Sequence, residues 1–305
     1  MSQHIELVEV GPRDGLQSEP EVVSTQTKLE LISRLIDAGL RRIEVASFVH
    51  PKRVPQMADA EAVLAGLPRK EGVQYVGLVL NRKGFDRALA AGCTEIGMVT
   101  AATDSFAQRN QGASIEETIR AWEEIAPLAH ASGIRAQVTI SVVFGCPFEG
   151  EVSIERVVDI ATRLARSKPL EIALADTIGV AVPAQVTKVL HAVQAAVPHV
   201  PLRCHFHNTR NTGVANAYAA VVSGVRTLDS SVGGVGGCPF APNATGNIAT
   251  EDLLYMLARS GYETGVDLNR LIDTARWLEA QRAKPVPSML SKAGPFPAGP
   301  FPRVQ

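Results

Sequence analysis

The sequence predicts a (β/α)8 barrel with additional C-terminal helices, and three observations lead there. Eight short apolar or alternating runs recur along the chain, segments of helical spacing separate them, and polar residues collect just behind several of the runs. Strands alternating with helices over about 250 residues close into a parallel barrel whose catalytic groups sit at the carboxyl ends of the strands. A doubly wound open sheet is the competing arrangement. However, no G-x-G-x-x-G follows the first run, and the glycine-rich stretch comes last.

The first four runs are IELVEV (5–10), RRIEVASF (41–48), VQYVGLVL (73–80) and TEIGMVTAA (94–102). IRAQVTISVVFG (134–145), LEIALADT (170–177), PLRCHFH (201–207) and VRTLDSSV (225–232) complete the set. Each is short and apolar or alternating, as a buried strand should be. Helical spacing marks TQTKLELISRLIDAGL, KGFDRALAAGC, SIEETIRAWEEIAPLAHASG, SIERVVDIATRLARS, PAQVTKVLHAVQAAV and NTGVANAYAAVVSG. Ser114 and Ser153 are placed to cap helix starts, Ser114 with Glu117 in a capping box, and Gly39, Gly133 and Gly224 stand where helices should end. After Thr250 come further apolar helices that complete a catalytic domain over residues 1–283. The Pro- and Gly-rich segment 284–305 reads as a loose tail.

The chain of 305 residues is 46% hydrophobic, enough for one large α/β domain or two small ones. Thirty basic residues face 31 acidic ones, for a net charge of −1 without blocks of like charge, so nothing in the sequence favours nucleic acid or an anionic membrane. Cys93, Cys146, Cys204 and Cys238 are far apart and form no C-x-x-C pair. Free thiols in a reducing compartment are expected, and neither a signal segment nor a spanning stretch is evident, which together predict a cytoplasmic protein. The apolar C-terminal helices suggest a homo-oligomer, with a dimer as the simplest form.

The candidate site follows from what stands behind each run. The first leads into GPRDGLQ with Arg13 and Asp14, the second carries Glu44 and ends at Ser47, and the sixth holds Asp176. The seventh ends in His205, His207 and Asn208, and the eighth leads into a glycine-rich loop with Cys238 and Asn247. Each has an ordinary alternative. Pro-x-Asp-Gly is turn chemistry, Asp176 can cap a turn, an H-x-H pair can be solvated, and a lone cysteine is usually inert packing. Side chains two apart on a strand share a face, however, so His205 and His207 can act as one clamp. Glu44, flanked by Ile43 and Val45, would face the barrel interior, where a carboxylate needs a partner such as Arg13.

Asp14, His205, His207 and the amide oxygen of Asn247 form an oxygen and nitrogen ligand set without thiolate. That suits a six-coordinate Mg2+ or Mn2+ with positions left for substrate oxygens, and zinc is the competing ion. A metal-dependent amide hydrolase would need its H-x-H on the first strand and further histidines on middle strands. The remaining histidines, 4, 50, 130, 191 and 199, do not supply them. A divalent ion beside a fixed guanidinium suits reactions through an enolate, with Arg13 opposite the developing negative oxygen and a thiol on a lid for proton transfer. This points to carbon–carbon cleavage or formation.

The stretches VEVGPRDGLQSEP, IEVASFVHPKRVPQM, GCPFEGE, ADTIGV, HFHNT and DSSVGGVGGCPFAPNATGNIATEDLLYML together resemble the 3-hydroxy-3-methylglutaryl-CoA lyase family of DRE-TIM metallolyases, from about residue 4 to residue 280. The resemblance implies that Asp14, His205 and His207 hold the divalent cation, with Asn247 completing or supporting the site. It implies Arg13 at the thioester carbonyl or enolate, Glu44 holding Arg13, and Cys238 in proton transfer. The implied reaction yields acetyl-CoA and acetoacetate, with His205 or Asp14 as the base. Coenzyme A would enter as part of the substrate, and Ser47 and Lys52, together with Arg53, stand where its phosphates or pantetheine could be met.

The chain departs from the family pattern at Asn208, where an acid is usual, and at Arg210, where an aromatic is usual. Ala175, Pro242 and Asn243 differ as well. A related substrate such as citramalyl-CoA is therefore an alternative. A Claisen-condensing acyltransferase on the same scaffold is another, although such enzymes usually carry further domains after the barrel.

Overall fold

A computed structural model describes residues 3–237 and 246–297. Eight parallel strands close into a barrel in chain order: β1 (Glu6–Glu9), β2 (Arg42–Ser47), β3 (Gln74–Leu78), β4 (Glu95–Ala101), β5 (Arg135–Ser141), β6 (Ile172–Asp176), β7 (Leu202–Phe206) and β8 (Thr227–Ser230). β1 pairs with β8 over Glu6↔Thr227 to Glu9↔Ser230, and this pairing rules out the open sheet. The fifth run ends as a strand at Ser141, earlier than its apolar pattern. Val142 turns into the left-handed region at φ 52, its N–H bound to Thr177 Oγ1.

The helices on the outside are α1 (Thr25–Asp37), α2 (Ala60–Gly66), α3 (Arg82–Ala91), α4 (Asp104–Gln111), α5 (Ile115–Ala131), α6 (Ile154–Ala165), α7 (Pro183–Ala196), α8 (Gly213–Val222), α9 (Thr250–Arg259), α10 (Leu268–Arg282) and α11 (Leu290–Ala293). Ser114 and Glu117 form the expected reciprocal capping box, and Ser153 Oγ accepts the N–H of Arg156. Apolar stripes of these helices pack on the outward faces of the strands. Leu31, Ile32, Trp122 and Leu164 are fully buried there, and the Trp122 indole N–H reaches Leu164 O at 3.0 Å. No helix among the described residues is long and apolar enough to cross a membrane.

The segment expected as a loose tail is in part a packed element. Val286 and Ser288 are buried, the Ser288 N–H donates to Gly233 O at 3.1 Å, and Asp252 accepts the N–H groups of Met289 and Leu290 ahead of α11. Apolar burial at Val286 and an acid ready to cap the chain outweigh its Pro and Gly content. Residues 298–305 lie outside the described part.

Several positions inside the barrel are charged. Arg42 on β2 pairs with Glu95 of β4 and with Glu171, which precedes β6, while Arg203 on β7 pairs with Glu171 and with Asp229 on β8. These ions are 5% exposed or less. They form a buried ionic layer inside the barrel that begins at the N-terminal ends of the strands and reaches the mouth cavity through Arg203 and Asp229.

Candidate active site

The first contribution comes from the turn behind β1. Gly11–Gly15 makes one wide helical turn in which the N–H groups of Arg13, Asp14 and Gly15 all reach Val10 O, at 3.2, 2.7 and 3.2 Å. That turn throws Arg13 and Asp14 together over the mouth. Arg13 Nη1 donates to Asp14 Oδ1 at 2.8 Å and Nη2 donates to Glu44 Oε2 at 2.7 Å, so one guanidinium spans the ends of β1 and β2. Burial of Glu44 raises its pKa, and Arg13 only partly opposes that.

The second contribution comes from β7 and the residue after it. His205 and His207 share a face, with ring centroids 5.1 Å apart. Ligand atoms of Asp14, His205 and His207 lie within 4.8 Å of one another, although the chain between Asp14 and His205 spans most of the barrel. Burial disfavours the Asp14 anion, but Arg13, His205 and His207 outweigh this and lower its pKa to about 2. Burial and the neighbouring His205 push His207 down to about 3, which leaves its ring neutral and able to offer a lone pair.

Asn247 closes the group from the far side of the glycine-rich loop. Its Nδ2 donates to Asp14 Oδ2 at 2.8 Å and to Val235 O at 3.2 Å, which orients the amide. The remaining Asn247 Oδ1 is buried without a hydrogen-bond partner, and so is His207 Nδ1. Buried acceptors left open in this way are costly unless something meets them. Charge at the mouth adds a second argument for a cation, since the single guanidinium of Arg13 pairs with the two carboxylates of Asp14 and Glu44. The residues therefore fit a divalent cation.

Arg13, Asp14, Glu44, His205 and His207 line one cavity of about 740 Å³ at the mouth of the barrel, a volume suited to a small organic ligand. Gln137, Thr139 and Arg203 lie in its wall, with Arg53, Ser18 and Lys284 also among the lining side chains. Of the residues expected to meet a cofactor, Ser47 is completely buried and does not line the cavity, and Lys52 is exposed away from it. The register of β2 shifts between Glu44 and Ala46, so simple alternation misjudges the end of that strand, and Arg53 is a charged residue of the following loop that lines the cavity. Cys238 lies outside the described residues.

The departures at Asn208 and Arg210 have local explanations. Asn208 Oδ1 accepts the Gly213 N–H at the start of α8, and Arg210 Nη1 donates to the carbonyls of Ile178 and Gly179. Neither lines the cavity. Asp176 is a turn residue, accepting the N–H groups of Val180 and Ala181 at 2.9 and 3.0 Å.

Sequence reasoning missed Asp229, whose Oδ2 is 3.1 Å from His205 Nδ1, and Arg203 beside it. The signal was present as charged residues inside the runs PLRCHFH and VRTLDSSV, but only the pairing His205↔Asp229 across β7 and β8 gives it meaning.

Comparison with known proteins agrees with this arrangement. The model of the HMGL-like family matches residues 4–278. The (R)-citramalyl-CoA lyase of Chloroflexus aurantiacus is 42% identical, covering 95% of each chain. The hydroxymethylglutaryl-CoA lyase of Pseudomonas mevalonii is 43% identical over 92% of this chain and 93% of its own. A solved HMG-CoA lyase from Acinetobacter baumannii, in complex with coenzyme A and 3-methylmalate, superposes with a TM-score of 0.93 at 39% identity and covers 98% of both chains. A ligand set assembled from distant parts of the chain and a family match spanning nearly its whole length lead to one conclusion: the chain belongs to the HMGL-like family.

Proposed function

We propose that the protein is a divalent-metal-dependent carbon–carbon lyase that splits 3-hydroxy-3-methylglutaryl-CoA into acetyl-CoA and acetoacetate. The observation that carries this reading is the convergence of Asp14, His205 and His207 within 4.8 Å, with the Arg13 guanidinium 2.8 Å from Asp14. Asp14, His205, His207 and Asn247 would hold Mg2+ or Mn2+, the ions that suit mixed carboxylate, imidazole and amide ligands. When bound, the cation supplies Lewis acidity toward the oxygens of the substrate.

Asp14 or His205 takes the proton of the tertiary hydroxyl in this reading. As that oxygen becomes the ketone of acetoacetate, the carbon–carbon bond breaks and its electron pair moves into the thioester as an enolate. Arg13, clamped by Glu44 and Asp14, presents fixed positive charge to the enolate oxygen without having to reorganise. Protonation of the enolate carbon, assigned to Cys238, releases acetyl-CoA. Arg53 and Lys284 provide positive charge for the coenzyme A portion. The reading includes a cytoplasmic homodimer, in keeping with Cys93, Cys146 and Cys204, which are buried free thiols.

A second substrate has its own support. The relative from Chloroflexus aurantiacus, as similar as the hydroxymethylglutaryl-CoA lyase above, acts on (R)-citramalyl-CoA. That thioester carries the same tertiary hydroxyl and methyl groups one methylene closer to the carboxylate, and the same cleavage would release pyruvate. Incubating the metal-loaded protein with both thioesters and identifying products by mass decides between them. Acetoacetate from the first thioester, lost on chelation and restored by Mn2+, is the expected result. Pyruvate from the second alone would keep the chemistry and replace the substrate, and no acetyl-CoA from either would overturn the lyase.

A further inference from the structure

Of the two imidazoles at the site, His205 has a ring nitrogen held by a carboxylate. Its Nδ1 lies 3.1 Å from Asp229 Oδ2, whereas His207 Nδ1 is buried with no hydrogen-bond partner. Asp229 is in turn held from its other oxygen, since Oδ1 lies 3.1 Å from Arg203 Nη1. Arg203 is itself fixed by Gln137, whose Oε1 accepts from Nη2 at 2.6 Å, and by Glu171, 3.2 Å from its Nε. Asp229 is only 4% exposed, so no water shell competes for its oxygens.

We propose that Asp229, held by Arg203, is a positioning residue for metal binding: it accepts the Nδ1–H of His205 and so turns the Nε2 lone pair toward the divalent cation. The inference rests on the metal site proposed above and adds to it a residue behind one of the ligands. A carboxylate behind a ligating histidine selects the tautomer, fixes the ring and makes the free nitrogen more basic. The Arg203 guanidinium beside the other oxygen adds an ion pair that keeps the buried Asp229 charged. His205 is therefore a preorganised ligand.

The test is the Mn2+ dissociation constant of the chelator-treated full-length protein, measured by calorimetry, for the wild type and Asp229→Asn. The carboxamide keeps the size of the side chain and removes its charge. Affinity should fall by about 10–100-fold, the usual cost of losing such a partner. With saturating Mn2+ the KM for the acyl-CoA should be unchanged, an outcome that general damage to the fold would not give. Arg203→Lys should produce a smaller loss in the same direction.

Binding by Asp229→Asn within twofold of wild type would overturn the inference while leaving the metal site intact, whereas a wild type that binds no Mn2+ would remove the site itself. If Asp229→Asn does not fold, the 15N histidine spectrum of the metal-free wild type decides. His205 protonated at Nδ1 and bare at Nε2 supports the inference, and the opposite tautomer overturns it.

Discussion

Arg13 shows how much one side chain can be asked to do. It is 12% exposed and pairs with two carboxylates, and burial works against its charge while Glu44 and Asp14 preserve it. A cation held in this way is preorganised for an enolate. Arg13→Gln should lower kcat by about 10²–10³-fold with little change in KM, the pattern expected for loss of a contact made mainly in the transition state, and steady-state kinetics will show it.

Glu9 is the opposite case. Its Oε1 accepts the N–H groups of Gly11 and Val232 at 2.8 and 2.9 Å, and its Oε2 accepts from Thr250 Oγ1 at 2.7 Å. Burial, with the nearby Glu251 adding to it, pushes its pKa up to about 8 against three opposing hydrogen bonds. The folded protein thus retains a proton that the unfolded chain releases near 4.5, the ordinary glutamate value. Glu9 favours folding most below that value, and its contribution declines as pH rises toward about 8, where the folded state loses the proton too. Glu9→Gln should flatten the fall in stability across that window, as urea titrations at several pH values will show. Glu9→Ala should cost roughly 1–3 kcal/mol for each buried N–H left unpaired.

At the scale of elements, turns and loops place the ligands that strands only carry. The turn Gly11–Gly15 aims Asp14 inward, and the glycines of the β8–α9 connection let Asn247 approach it. Gly236 has φ +139, and a Cβ there would lie 2.6 Å from Asn247 Nδ2. Gly236→Ala should therefore push Asn247 off Asp14 and weaken Mn2+ binding, measured by calorimetry, while the circular dichroism spectrum stays that of the wild type. The apolar runs located all eight strands because each strand is short and its neighbours in sequence carry its whole signal. α2, α4 and α11 were not legible in the same way. They run for only seven, eight and four residues, too few turns for a 3.6-residue period to stand out.

The whole molecule is a ring closed around ions. Closure brings β8 against β1, and the inward side chains of strands far apart in sequence must then satisfy one another. Arg42 is the hub between Glu95 and Glu171. Arg42→Met should leave both carboxylates buried without it and cost about 3–5 kcal/mol, read as a lower midpoint of chemical denaturation. Its effect should spread to the mouth, because Glu171 also holds Arg203 beneath Asp229.

By itself the amino-acid sequence determined the periods of strand and helix, the caps at Ser114 and Ser153, and the side chains able to ligate a metal. All of these are set by residues within a few positions of one another, through backbone propensity and the alternation of faces. The tertiary structure alone decided that Asp229 stands behind His205, that Ser47 is buried away from the cavity, and that Asn208 and Arg210 serve the loops. Register and barrel closure are cooperative properties of paired strands, and no local pattern encodes which charge will face which across the ring.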